Sequence, residues 1–348
     1  MRFYRRSRLR SSRGHVRLEQ GPPWGQWALW GGSALAVVVV FLIVLTQIVL
    51  PLFQDEVTTY SNRTWLEYAW TTAPPNAEAA QQLARRLREN EIDRVYLEAS
   101  AWRADGTLLE GEYAADFVRV LREADPDLTI LVWLRMTGGD VADADRRAEA
   151  VALAQKAVRQ WDMDGAQLNA VAVPNGSETY VQLLRDLRAA IGKDTVFSVT
   201  VPPDRIPADP DVPIGATGDP DLTWDLHYKQ RVGLLSVDEV VVMAHASGLH
   251  DPADYQRWVA YQVESYAEVL GEMEHPPQIV IAIPTYEEAP EHDPAVENVT
   301  AALAGVHDGI RRAGERRSLI VGVGLLEYKT TDSLEWALYA EHWLGRKP

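Results

Sequence analysis

The chain has 348 residues, with 34 Lys and Arg against 50 Asp and Glu, and it contains no cysteine. A net charge of −16 argues against nucleic acid as a partner of its main body. Disulfides cannot staple it, but a domain this long buries a sufficient core without them.

Residues 1–20 carry seven Arg against one acid, Glu19, so the negative balance lies wholly beyond them. No charged residue occurs between Glu19 and Asp55, and Trp27 to Phe53 is a largely apolar run of 27 residues. A helix crossing the ~30 Å hydrocarbon layer needs ~20 apolar residues, because in lipid the backbone must satisfy its own hydrogen bonds. The run predicts a transmembrane helix with Trp24, Trp27 and Trp30 at one interface. The Arg-rich flank predicts a cytosolic N-terminus that also contacts anionic lipid headgroups, with the rest of the chain extracytoplasmic. A cleavable signal peptide is the competing reading, but its apolar region would be only ~7–15 residues long and end in small residues. Here the run ends Leu50-Pro51-Leu52-Phe53, which favours an uncleaved signal-anchor. The predicted organisation is a basic tail over 1–26, an anchor over 27–53, a stalk over 54–62 and one domain over 63–348. The N-x-[ST] sequences at Asn62, Asn175 and Asn298 are read as chance matches.

Beyond the stalk, short β-branched or aromatic runs alternate with amphipathic stretches, the pattern of a parallel sheet covered by helices. Strands are predicted at Trp65–Thr71, Arg94–Ala99, Thr129–Arg135, Gly165–Val173, Val196–Val201, Glu239–Ala244, Ile279–Pro284 and Leu319–Leu326. Helices are predicted over 77–90, 112–123, 143–160, 178–191, 224–233, 252–271, 296–313 and 332–344. Asn76, Ser177 and Asp251-Pro252 supply start signals. In helix 143–160 the stripe Ala144, Ala148, Val151, Ala154 and Val158 is expected to face the sheet. Eight β/α units in this length make an α/β fold, a (β/α)8 TIM barrel preceded by a single transmembrane helix. No G-x-G-x-x-G or G-x-x-x-x-G-K-[ST] follows an early strand, so neither a doubly wound nucleotide fold nor a cofactor is indicated. The Asp-rich loop Pro202 to Trp224 lacks EF-hand spacing; it is read as a solvated rim or lid over the mouth, with no metal.

The fourth unit reads Trp161-Asp162-Met163-Asp164-Gly165-Ala166-Gln167-Leu168-Asn169-Ala170-Val171. It resembles the D-G-x-D-x-D-x-E strand of glycoside hydrolase family 18, the chitinases and their relatives. Three later strands resemble the same family in order: Val240 to His245 its apolar M-x-Y run, Ile281 to Tyr286 its G-x-P-x-Y, and Gly322 to Tyr328 its G-V-x-x-W-E. His245 stands where that family has tyrosine, and Leu326 where it has tryptophan. The resemblance implies a carbohydrate partner and a substrate-assisted reaction, in which a glutamic acid protonates the leaving oxygen and an aspartate orients the substrate's acetamido group. Here Asn169 falls on an aspartate position and Val171 on the catalytic glutamate. Valine donates no proton and asparagine carries no charge, and loss of the acid alone removes roughly 10²–10⁴-fold. The expectation is a degenerate barrel, a pseudoenzyme with no catalytic residue of the family type, that binds a glycan of the cell envelope.

Barrel sites are built at the C-terminal strand ends, here Trp70, Glu98, Trp102, Arg135, Asn169, His245, Tyr286 and Glu327. Aromatic rings and a few polar groups are the mix that holds a sugar. Each has a plainer reading: Glu98, Arg135 and Glu327 as an ion-pair network closing the barrel top, His245 as a structural histidine, Trp102 as packing. Relocated carboxylates (Glu98, Glu178, Glu287 and Glu327) would make an active glycosidase instead, with Glu178 also suited to a first helical turn. A non-catalytic envelope scaffold is the remaining alternative.

Overall fold

The computed structural model describes residues 60–103, 106–206, 223–235 and 237–346. The predicted tail, anchor and most of the stalk lie outside these residues, as does the middle of the Asp-rich loop. Among the described residues, no helix is long and apolar enough to cross a membrane.

Residues from Tyr60 onward form one compact unit. Its strands are β1 (Asn62–Leu66), β2 (Ile92–Leu97), the antiparallel hairpin β3 (Ser100–Trp102) and β4 (Leu108–Glu110), then β5 (Thr129–Thr137), β6 (Gly165–Val171), β7 (Val196–Val201), β8 (Glu239–Met243), β9 (Gln278–Pro284) and β10 (Ile320–Leu326). Eight of them close a parallel barrel in the order β1-β10-β9-β8-β7-β6-β5-β2. The predicted helices stand between them, from Ala77–Glu89 to Ser333–His342, and Asn76, Ser177 and Asp251 cap theirs as expected. The sequence pattern missed the hairpin and the short helix Gly138–Ala142, whose start is a Thr137–Asp140 capping box.

Alternation along each strand sorts side chains into two cores. Leu66, Val95, Leu97, Val132, Leu168, Val199, Val240 and Ile281 face the helix ring. Trp65, Tyr96, Leu131, Trp133, Val241, Val280, Ala282 and Leu326 fill the lumen. Gly324 makes room for the lumen's largest side chain: a Cβ there would lie 2.8 Å from the Trp65 ring. Gly165, the residue that opens β6, is required in the same way, since its Cβ would meet the Val196 carbonyl at 1.9 Å.

Two expectations fail for identifiable reasons. The first strand runs over Asn62–Leu66 rather than Trp65–Thr71, and Tyr68–Thr71 is a 3-10 turn. Asn62 ends the predicted stalk and Arg63 and Thr64 precede the predicted strand, yet all three are fully buried, Arg63 by virtue of an ion pair with Glu239 across the barrel. Helix Ala144–Gln160 buries Ala150, Leu153, Ala154 and Ala157, so of the predicted stripe Ala154 is fully buried, Val151 and Val158 pack at the core's edge and Ala144 and Ala148 do not face it. Alanines mark both faces of that helix, and the single Leu153 decides which one buries more apolar area.

Candidate functional site

The C-terminal ends of the barrel strands surround a cavity of about 490 Å³. Glu98, Trp102, Arg135, Asn169, His245 and Glu327, six of the eight expected residues, line it. Trp70 does not. Because β1 ends at Leu66, Trp70 falls in the 3-10 turn and stacks on Phe117 with ring centroids 5.3 Å apart, away from the mouth. Tyr286 reaches the cavity through His245, whose Nδ1 lies 2.8 Å from the phenol oxygen.

On one wall, Arg135 donates to Glu98 Oε1 at 3.1 Å while its guanidinium lies 5.0 Å from the centre of the Trp133 ring. Glu98 Oε2 accepts from the Tyr68 backbone N–H at 3.3 Å, so both carboxylate oxygens are held. Trp102, on the hairpin, donates its indole N–H to the Arg135 carbonyl at 3.1 Å, and Arg146 covers its ring. Glu327 follows β10. Burial pushes its carboxyl above the usual range; Arg135 opposes this and the charges of Glu98 and Glu67 add to it.

On the floor, β6 presents Gln167, Asn169 and Val171 to the lumen, with Asn169 paired to Arg135 and Val171 to Thr137 of β5. Thr200 donates to Asn169 Oδ1 at 3.1 Å. Gln167 is fully buried, and neither of its amide atoms has a protein partner. Val171 is 52% exposed, a bare apolar side chain at the height where the family resemblance places an acid.

The far wall holds a relay the sequence did not disclose. Glu297, fully buried, accepts from the backbone N–H groups of Ala246 and Ser247, the Ser247 hydroxyl and His292 Nδ1. Burial pushes its carboxyl up, but the donors from His292, Ser247 and Ala246 outweigh this and hold it below the usual range. His292 Nε2 faces the Tyr286 carbonyl at 3.0 Å, so both of its ring nitrogens lie against oxygen atoms. Its ring packs on Tyr286 with centroids 4.1 Å apart. Burial, followed by the charges of Glu297 and Glu291, raises the Tyr286 phenol well above its ordinary value. Burial also holds His245 neutral, at about 4. A neutral His245 that accepts the Tyr286 hydroxyl hydrogen at Nδ1 carries its own hydrogen on Nε2, a buried atom with no protein partner. Nothing in sequence marks Glu297 or His292, since one reads as an acid in the first turn of the predicted helix 296–313 and the other as a loop residue.

Two carboxylates named from sequence lie off the site. Glu178 opens helix Glu178–Ile191 and pairs with Arg231 at 2.6 Å on the surface, and Glu287 is exposed in the loop after β9. Asn175, in the loop after β6, donates to Asp225 at 2.9 Å. Beyond His245 a second, apolar cavity of about 230 Å³ runs along Val171, Pro202, Trp224 and Met243. Among the described residues there is no group of three His, Asp or Glu that could hold a metal ion.

No protein-family model and no curated protein matches the chain. Solved structures do. The spore cortex-lytic enzyme SleL of Bacillus cereus is 14% identical over 81% of this chain and 74% of its own, with a TM-score of 0.51. A glycoside hydrolase family 18 N-acetylglucosaminidase from Paenibacillus barengoltzii is 13% identical over 81% and 99%, with a TM-score of 0.53. A class V chitinase from Pseudomonas fluorescens is 12% identical over 81% and 99%, with a TM-score of 0.52. At these identities the likeness is one of fold: the domain is a family-18-like (β/α)8 barrel.

Proposed function

We propose that this protein is a membrane-anchored carbohydrate-binding barrel, degenerate with respect to the family-18 reaction, that holds an envelope glycan at its strand-end mouth. In this reading the Arg-rich N-terminus is cytosolic, residues 27–53 span the bilayer and the barrel lies outside. One observation carries the loss of the family chemistry: the lumen-facing positions of β6 hold Gln167, Asn169 and Val171, none of which donates a proton as an acid or carries a negative charge. What supports binding is the composition of the mouth. The Trp102 indole adds apolar surface beside Glu98, Arg135, Asn169 and His245, a small set of placed polar groups.

The test is direct. Full-length protein in detergent micelles should bind at least one member of a panel of fluorescent oligosaccharides that includes chito-oligosaccharides and soluble peptidoglycan fragments. Tyr286→Ala removes the ring that fixes His245 and should weaken that binding about tenfold, roughly 1.4 kcal/mol, with the circular dichroism spectrum unchanged. A barrel that binds no sugar of the panel would be a scaffold instead, and an affinity indifferent to Tyr286→Ala would remove the mouth from consideration.

A further inference from the structure

We infer that Glu327 and Glu98 form a relocated acid–base pair that hydrolyses a glycosidic bond at this mouth, with Glu327 the general acid and Glu98 the general base. The inference rests on the carbohydrate reading of the same site, and it asks what a bound sugar would meet there.

The placement comes from the barrel itself. Glu98 follows β2 and its N–H donates to the Leu66 carbonyl of β1 at 2.9 Å. On the other side of β1, the Tyr328 N–H donates to the Trp65 carbonyl at 3.0 Å, which fixes Glu327 just beyond β10. Two strand spacings of ~4.8 Å put the two α-carbons roughly 10 Å apart. Both residues line the same cavity, and the roughly 6.5–9.5 Å between carboxyls that leaves room for a water molecule is the separation an inverting pair there requires.

The two carboxyls are in different states of engagement. Glu98 has both oxygens fixed, by Arg135 and by the Tyr68 N–H, and is oriented as an acceptor. Glu327 is anchored only through its backbone, whose carbonyl accepts from Thr330 and Thr331, and its carboxyl oxygens make no hydrogen bond among the described residues. Its raised proton affinity suits an acid that must hold its proton until a leaving oxygen arrives. A second observation points to a ligand: Trp133, 2% exposed, lines this cavity and its indole N–H has no protein partner. Asp140, which lines the same cavity, is committed to its helix cap and Arg146, and Glu297 on the far wall to four donors.

The step balances without a cofactor. The glycosidic C–O bond breaks, its electron pair goes to the leaving oxygen, and that oxygen takes the proton of Glu327. A water oxygen bonds to the anomeric carbon and gives its proton to Glu98, and solvent exchange restores both carboxyls.

The experiment uses full-length protein in detergent micelles, with 4-nitrophenyl β-glycosides of glucose, galactose and N-acetylglucosamine and with each oligosaccharide that binds. Turnover of at least one is expected. Glu98→Gln should lower kcat/KM by roughly 10²–10⁴-fold on aryl glycosides and oligosaccharides alike. Glu327→Gln should do so on oligosaccharides but far less on aryl glycosides, because nitrophenolate leaves without protonation, and it should erase the alkaline limb of the pH profile. Binding without turnover would overturn the pair and leave the carbohydrate reading standing, as would turnover indifferent to both variants. Absence of both binding and turnover would overturn the two together.

Discussion

The two ends of the barrel lumen are built on opposite principles. At the bottom, Glu239 is fully buried and takes donors from Arg63 Nε and Nη2, Arg94 and the Tyr96 hydroxyl, and Arg63 also reaches Asp93. Every charge there has its counterpart within the protein. Nearer the mouth Trp133 and His245 carry buried polar atoms without a protein partner, as does Gln167 deeper in the lumen. Buried polar groups are normally satisfied, and the exceptions call for an explanation. The contrast is between the bottom of the lumen, whose charges are paired within the protein, and a mouth where buried polar atoms are not.

Breaking the closed end should have the largest effect. Glu239→Gln leaves Arg94 without its counter-charge and Arg63 with only the half-exposed Asp93, and should cost roughly 3–5 kcal/mol in urea unfolding of the domain. Burial pushes the Glu239 carboxyl up, but Arg63 and Arg94 outweigh it and hold it at about 2. Its folded value lies below the unfolded one, so its contribution is complete above pH ~4.3 and is lost as pH falls from there toward 2. A loss under ~1 kcal/mol for Glu239→Gln would mean the network is ornamental.

The open end should show a smaller effect in another pH window. His245 is held neutral at about 4 by burial, against ~6.5 in an unfolded chain. Between those values the unfolded state binds a proton that the folded state refuses. Stability should therefore be intact above pH ~6.5 and decline as pH falls toward 4, by on the order of 2 kcal/mol. Urea midpoints measured from pH 7 to 4.5 test it: His245→Gln should flatten that part of the slope, and an unaltered slope would show that His245 is solvated and charged.

The same contrast governs what was legible in sequence. Eight β/α units, their helix caps and the register of β6 could be read, because period, capping residues and a glycine at position 165 are local signals. The first strand was misplaced because Arg63 is buried by Glu239, a partner 176 positions away, and no periodicity reports a pairing of that range. Six mouth residues were found by reading strand ends, and Trp70 was lost with the strand boundary that placed it. The Glu297–His292 relay was invisible for the reason Arg63 was: its meaning lies in Ser247, Ala246 and Tyr286, which only the fold brings together.

The mildest substitution sharpens the comparison most. Val171 ends β6 at 52% exposure, so Val171→Glu buries no charge and should change stability by less than about 0.5 kcal/mol. It places a carboxyl where the family-18 resemblance expects the acid, yet it should add no turnover of chito-oligosaccharides over the parent protein. A substrate-assisted reaction also needs a negative charge at the neighbouring lumen position, and there Asn169 offers only an amide, its oxygen already accepting from Thr200. Asn169→Asp with Val171→Glu is the smallest change that supplies both functions. If Val171→Glu alone gained turnover of a chito-oligosaccharide, the missing acid would be the whole of the defect, and the neutral floor of the mouth would have no bearing on what this barrel does.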